Sequence, residues 1–375
     1  MKIRLNYRLV ILIVFLAALA FREVALELRP SILRPDLHLF AYVGNTGDGT
    51  LTAIDLVKLS PVATIPVGPA PSGIRANPTR KEIWGVSSAG GYAWVLDVTS
   101  NRIVARIAVG AAPYALDFSP DGSRAYVAAS GANTVVAIDC ATRQIVARGR
   151  AGRRPWIARV SPDGKFLVVP NRDDATVWLL DAATLSPLGV VPVAPDPEQV
   201  AILPDGSKAF VTSGTTDQIS VVDLKRKVLL ASLALGATPG GMVLKPDGGE
   251  LYIPASGTHG LLIVNTQTNE VGDFVLAGMS PAAAALTDDA ETLYVSDSDA
   301  GHIVPVAIGV RQVNSTISVG QGPRTCQLTP GGDMLLVVDT MSDDLAVIRA
   351  NAPRPSLITL IPTGPRPRDL VVKLF

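Results

Sequence analysis

Between Val109 and Arg150 short apolar runs alternate with tight polar turns, and the same alternation recurs along most of the chain. The runs Ala115 to Ser119, Arg124 to Ala129, Thr134 to Ile138 and Ile145 to Arg148 read as four strands, the third rich in β-branched residues. Pro120-Asp121-Gly122 turns the chain after the first, proline presetting φ and glycine accepting its positive value. Gly131-Ala132-Asn133 and a turn opened by Asp139 separate the rest.

This unit is repeated. Pro71, Pro113, Pro155, Pro197, Pro239, Pro281 and Pro323 fall 42 residues apart, and Pro367 follows after 44. Tyr42, Trp84, Tyr126, Val168, Phe210, Tyr252, Tyr294 and Leu336 keep the same period, as do Asp55, Asp97, Asp139, Asp181 and Asp223. The aspartate series then decays to Asn265, Ala307 and Arg349. A fixed period near 40 residues that carries four short strands predicts a propeller-type array. Each copy is a four-stranded antiparallel blade whose two faces are dried only by neighbouring blades, so the copies must close into a ring.

From Gly68 onward there are seven full copies, and the ends hold one more cut in two. Residues 38–67 supply its second to fourth strands, and Gly364 to Phe375 supplies the turn and the first. The expected fold is therefore all-β, a β-propeller of eight blades with seven as the alternative, closed by the C-terminal strand in the N-terminal blade. Pro30 to Leu33 is a rival first strand, but its spacing to the next proline pair is too short. The division expected is a signal peptide over 1–20, a lead-in over 21–37 and a single propeller domain over 38–375.

Composition agrees with sheets buried on both faces: 48% of residues are hydrophobic and 18% charged. The 33 basic and 33 acidic residues cancel, which removes any global field for steering nucleic acid. Lys2, Arg4 and Arg8 precede thirteen apolar residues, Leu9 to Phe21, that end near Ala18-Leu19-Ala20. That is the form of a cleaved export signal, and it falls short of the ~20 residues a membrane-spanning helix needs. An extracytoplasmic location is expected, periplasmic, secreted or at the cell surface, with membrane contact only if the segment stays uncleaved. Cys140 and Cys326 sit in registers that are apolar in other copies, so both read as core thiols and not as a disulfide.

The pattern VG-xx-P, SPDG, Tyr126-Val127, Asn133-Thr134-Val135 and Ile138-Asp139 resembles the YVTN-type β-propeller repeat over about residues 38–375. The resemblance implies an exported, surface-layer-like propeller, similar in fold to propeller lactonases and to propeller domains of periplasmic redox enzymes. It implies little about activity, because one such scaffold hosts many functions.

Residues that recur in every copy are structural, the aspartate series capping its turns through the side chain. Chemistry is expected where copies differ. The residue after the anchoring proline is Ser72, Tyr114, Trp156, Glu198, Gly240, Ala282, Arg324 and Arg368 in turn. Arg153, Arg154, Asp196 and Arg366 lie nearby, and the other loops of the same face bring Asn171, Arg172, Asp173, Asp174, His259, Asp297, Asp299, His302, Asp343 and Asp344. Tyr114, Arg154, Trp156, Glu198, His259, Asp297, His302, Arg324 and Arg368 form the candidate ligand-binding set, a charged mouth with aromatic rings. Deeper in the channel Arg75, Asp117 and Arg159 occupy equivalent positions of three consecutive copies, predicting a charge ladder between blades.

No Ser-His-Asp order, GxSxG, phosphate loop, CxxCH or zinc spacing occurs, so no catalytic residue, metal or cofactor is assigned. The expected function is a non-catalytic exported propeller binding a protein, glycan or small polar ligand at the channel mouth. The alternatives are a lactonase-like or periplasmic redox-associated enzyme, and a structural element of the cell envelope.

Overall fold

The computed structural model describes residues 38–313 and 315–375. The expected export signal, the lead-in and the rival strand at Pro30 to Leu33 lie outside the described residues. Eight antiparallel sheets follow one another along the chain. Blade 1 combines Pro367–Leu374 as its innermost strand with Leu39–Asn45, Thr50–Asp55 and Ser60–Pro66. Blades 2 to 8 are continuous, their innermost strands opening at or just after Pro71, Pro113, Pro155, Pro197, Pro239, Pro281 and Pro323.

The tail pairs as expected. Tyr42 faces Val371 and Val43 faces Leu370 in an antiparallel register that runs from Leu39–Leu374 to a bulge at Asn45. In blade 7 the outermost strand is split into Gln312–Val313 and Ile317–Ser318, both paired with His302–Ala307. In blades 4 and 6 the innermost strand shrinks to Arg159–Val160 and Val243–Leu244.

The core is divided into eight dry layers, one between each pair of neighbouring blades. Trp84, Val86 and Val95 of blade 2 pack against Leu116, Phe118 and Val127 of blade 3. Leu336 and Val338 of blade 8 pack against Ala41, Val43 and Leu370 of blade 1, which closes the ring. The aromatic column is the centre of these layers, with every member at most 2% exposed. Its hydroxyls also join blades. Tyr126 Oη donates to Ala182 O at 3.0 Å and Tyr294 Oη to Ala350 O at 2.8 Å, each in the next blade.

The aspartate column does what its recurrence predicts. Asp139 Oδ1 accepts from the amides of Ala141 at 3.0 Å and Thr142 at 2.7 Å, and Asp55, Asp97, Asp181 and Asp223 repeat the arrangement. Asn265 holds the amides of Gln267 and Thr268 in the same way, so the decay of the column from Asp to Asn preserves the turn. Cys140 and Cys326 are both free, and burial pushes both thiols up to about 12.

Candidate functional site

The loops between fourth and first strands lie against those between second and third strands, so one face of the disc carries both. Ser88 N donates to Ala70 O and Arg172 N to Arg154 O, each at 3.1 Å. At the centre of this face a cavity of about 510 Å³ opens. It is lined from the innermost strands and their leading turns: Arg368 and Asp369 of blade 1, Ser72 and Arg75 of blade 2, Tyr114 of blade 3, Trp156 and Arg159 of blade 4, Glu198 and Gln199 of blade 5, Met242 of blade 6 and Thr325 of blade 8.

One wall is a layered stack. The rings of Tyr114 and Trp156 lie 24° apart in plane with centroids 3.3 Å apart. On Trp156 sits the guanidinium of Arg172, 4.3 Å from the ring centroid, where the π face attracts a cation. Arg172 is held there by two carboxylates. Its Nε pairs with Asp196 Oδ1, and its Nη2 reaches Asp196 Oδ2 at 2.6 Å and Glu198 Oε1 at 2.8 Å. The Asp196 hydrogen bonds push the Arg172 pKa upward, and the same contact lowers that of Asp196. Burial raises Glu198, opposed by the Arg172 charge, and burial raises the Tyr114 phenol, opposed by Arg368.

The innermost strands of blades 1, 2 and 4 add the guanidinium groups of Arg368, Arg75 and Arg159 to the wall. Arg75 donates from Nη1 to Ile74 O at 2.9 Å, and Arg159 pairs with Asp117 Oδ2 at 3.2 Å. Among the described residues neither Arg75 nor Arg368 forms an ion pair, and the buried Nε of Arg159 has no hydrogen-bond partner. The expected Arg75–Asp117–Arg159 ladder is thus half formed. The same Asp117 Oδ2 also accepts from Val160 N at 3.2 Å, which ties blade 3 to blade 4. Asp369 does the same for blades 1 and 2, accepting from Ile74 N at 2.9 Å, and Gln199 for blades 5 and 6, accepting from Met242 N at 3.3 Å. The wall at blade 2 is Gly73, φ 58°, where a Cβ would stand 2.6 Å from Ala115 Cα; only glycine lets these strands approach so closely.

Of the candidate set, Tyr114, Trp156, Glu198 and Arg368 line the cavity. The other five do not. Arg154 is an exposed turn residue 3.4 Å from Asp173, and Arg324 is exposed beside Pro323 while its neighbour Thr325 faces the cavity. His259 bonds through Nδ1 to Met279 O at 2.6 Å. Asp297 is buried and accepts from Met279 N and Ser280 N, both at 2.9 Å, so it holds its loop. His302 opens the third strand of blade 7 opposite Asp297. Among the described residues no three His, Cys, Asp or Glu side chains are grouped to hold a metal ion.

Sequence reasoning left Arg172, Gln199, Met242 and Asp369 out of the set and gave Arg75 and Arg159 a structural role. Arg172 was visible as a charged loop residue, but only the fold shows it folded back over Trp156 at 4.3 Å.

Residues 83–232 match the family model of the Cytochrome D1 heme domain. The chain is similar in structure to "Dihydro-heme d1 dehydrogenase NirN in complex with DHE", with a TM-score of 0.75 and 17% identity over 88% of this chain and 74% of that one. It is also similar to the hydrazine synthase of Kuenenia stuttgartiensis, with a TM-score of 0.61 and 17% identity over 75% of this chain and 96% of that one. At such identities the structural likeness speaks for the propeller fold. No curated protein matches the chain in sequence.

Two expectations are corrected. The family model that matches is that of a heme domain and not of the YVTN repeat, although both are propellers. The reading as a non-catalytic exported binder of a protein, glycan or small polar ligand is overturned by the same match, which favours the redox-associated alternative. The reason it misled is physical: the repeat motifs encode blade packing, which is common to binders and enzymes alike. Among the described residues no helix is long and apolar enough to cross a membrane.

Proposed function

We propose that the central cavity binds a tetrapyrrole of the heme d1 class and that the protein serves redox-associated tetrapyrrole chemistry outside the cytoplasm. The observation that carries this reading is the overlap of two independent ones. The segment matching the Cytochrome D1 heme domain, residues 83–232, contains Tyr114, Trp156, Arg159, Glu198 and Gln199, which build one side of the cavity. The relative of known structure acts, by its title, on a dihydro-heme d1.

The residues present suit such a ring. A volume of about 510 Å³ lies inside the ~300–1,000 Å³ range of small-molecule and cofactor sites. Tyr114, backed by Trp156 and Arg172 in one stack, offers π surface for a flat conjugated ligand. Arg75, Arg159 and Arg368 offer guanidinium donors to the carboxylate side chains that tetrapyrroles carry, and the partnerless Nε of Arg159 is a donor still to be satisfied. When bound, the ring supplies a delocalised system that can give and take electrons. The chain's part is to bind and orient it, to hold charge against its carboxylates and to exclude water from its face. The apolar segment Leu9 to Phe21 after Lys2, Arg4 and Arg8 supports the extracytoplasmic placement.

The test is direct. Purified protein is titrated with dihydro-heme d1 and with heme d1 while the visible spectrum is followed. Saturable one-to-one binding, weakened at least tenfold by Trp156→Ala, is expected. A spectrum identical to that of the free tetrapyrrole at every protein concentration overturns the reading.

A further inference from the structure

The cavity is well supplied with groups for a ring and its carboxylates and poor in groups for a metal at the ring's centre. No histidine or cysteine lines it. The chain has three histidines and two cysteines, and all lie elsewhere. His38 stacks on Phe375 with centroids 5.4 Å apart, His259 is bonded to Met279 O, and His302 stands opposite Asp297 in blade 7, the one blade that contributes nothing to the cavity wall. Cys140 is buried between blades 2 and 3, and Cys326 in the layer between blades 7 and 8.

The remaining oxygen and sulfur donors are largely committed. Glu198 is held by Arg172 at 2.8 Å, and Asp369 accepts from Ile74 N at 2.9 Å and Leu370 N at 3.1 Å. Tyr114 is fixed face to face against Trp156, and the burial that raises its phenol disfavours the phenolate a metal would need. Met242 is left, a thioether and a weak donor by itself.

Resting on the tetrapyrrole reading above, we infer that this chain recognises the ring by its π face and carboxylate edge and contributes no ligand to its metal. Recognition is then indifferent to the metal. The free-base ring is bound as the iron form is, and an iron held here would have to take its ligands from a small molecule or from a residue of another protein. Binding would be governed by Arg75, Arg159 and Arg368, since a charge-assisted hydrogen bond from a guanidinium to a carboxylate is the strongest contact the wall offers.

The experiment compares hemin with metal-free protoporphyrin IX, read by quenching of tryptophan fluorescence and by the Soret band, on the full chain. Dissociation constants within about threefold of each other are expected, with the hemin spectrum remaining that of an iron without a protein ligand. The Arg75→Ala, Arg368→Ala double variant should weaken both ligands alike, by about tenfold or more. Hemin binding more than tenfold tighter than the free base, with a shifted Soret band that Met242→Leu or Tyr114→Phe abolishes, overturns the inference and leaves the tetrapyrrole reading standing. Failure of both rings and of dihydro-heme d1 to bind overturns the tetrapyrrole reading and the inference together. Thermal melts of each variant separate a lost contact from a lost fold.

Discussion

Tyr114 and Trp156 occupy the same position of two successive repeats and stack across the blade boundary with ring centroids 3.3 Å apart. In a strict repeat the position after the anchoring proline would carry one residue type in every copy. Here two aromatic rings have been placed side by side at the mouth of a cavity, backed by a cation on the far face of Trp156. Position in the ring makes a pair of them, because adjacent blades set equivalent residues next to each other.

Arg172 keeps that wall in place. Its side chain is 13% exposed and it neutralises both Asp196 and Glu198. Arg172→Gln should cost about 3 kcal/mol, because two partly buried carboxylates lose their cation. Denaturant unfolding measures this. A loss under about 1 kcal/mol would mean the cluster is worth no more than a surface pair.

Asp117 bonds Arg159 and Val160 N of the next blade. Asp117→Ala should lower stability by about 1–2 kcal/mol and free the Arg159 guanidinium, while Asp117→Asn, which keeps an acceptor, should lose less. An unchanged unfolding midpoint for the alanine variant would remove any role of this contact in joining blades 3 and 4.

The Asp139 turn is exposed and accepts two amides. Asp139→Asn should be nearly silent, as the natural Asn265 turn shows, and Asp139→Ala should cost about 0.5–1 kcal/mol. Equal losses for the two variants would show that charge and not geometry matters there.

Asp339 and Asp344 face each other as strand partners beneath the loop that carries Gly320. Asp339 is fully buried, and burial followed by its hydrogen bond to Asp344 pushes its pKa up to about 8. A carboxyl whose folded pKa is raised binds its proton more tightly folded than unfolded. Its contribution to stability is therefore present at low pH and is lost as pH rises from about 4 through about 8. Asp339→Asn, which can still accept from Gly320 N and donate to Asp344, should be more stable than the parent by on the order of 2 kcal/mol at pH 8, with the difference vanishing near pH 4. Urea midpoints across that range test it, and a gain independent of pH would rule out titration of Asp339 as the cause.

Closure by the tail can be tested by ending the chain at Thr363, which removes the innermost strand of blade 1. Loss of the two dry layers that contain Leu370, Val371 and Val372 should abolish cooperative unfolding. A truncated chain that melts at the parent temperature would mean that the ring does not depend on this strand.

Much of the fold was legible because its information is local and repeated. A 42-residue period, turn chemistry at Pro120-Asp121-Gly122 and alternating runs such as Arg124 to Ala129 state the strand order and the blade number without any distant contact. Ring closure was legible too, since Pro367 marks a first strand with no blade of its own. The candidate site was legible in part. Tyr114, Trp156, Glu198 and Arg368 stood out as departures from the repeat in the right column, whereas His259, Asp297 and His302 were grouped with them only because their loops share a face.

The sequence by itself determined the architecture: eight blades, the split one at the ends, an apolar column between every pair, and a neutral chain without the patterns of common catalytic or metal motifs. Only the tertiary structure decided which departures from the repeat meet. Arg172 reaches Trp156 and Glu198 from another loop, Asp117 spends itself on Arg159 and Val160 and leaves Arg75 to the cavity, and every histidine is kept away from the centre. Strand pairing and blade stacking follow from patterns with short periods, which a linear chain displays. Convergence of side chains on one cavity depends on the angles at which eight separately encoded blades are set around an axis, and no run of residues records those.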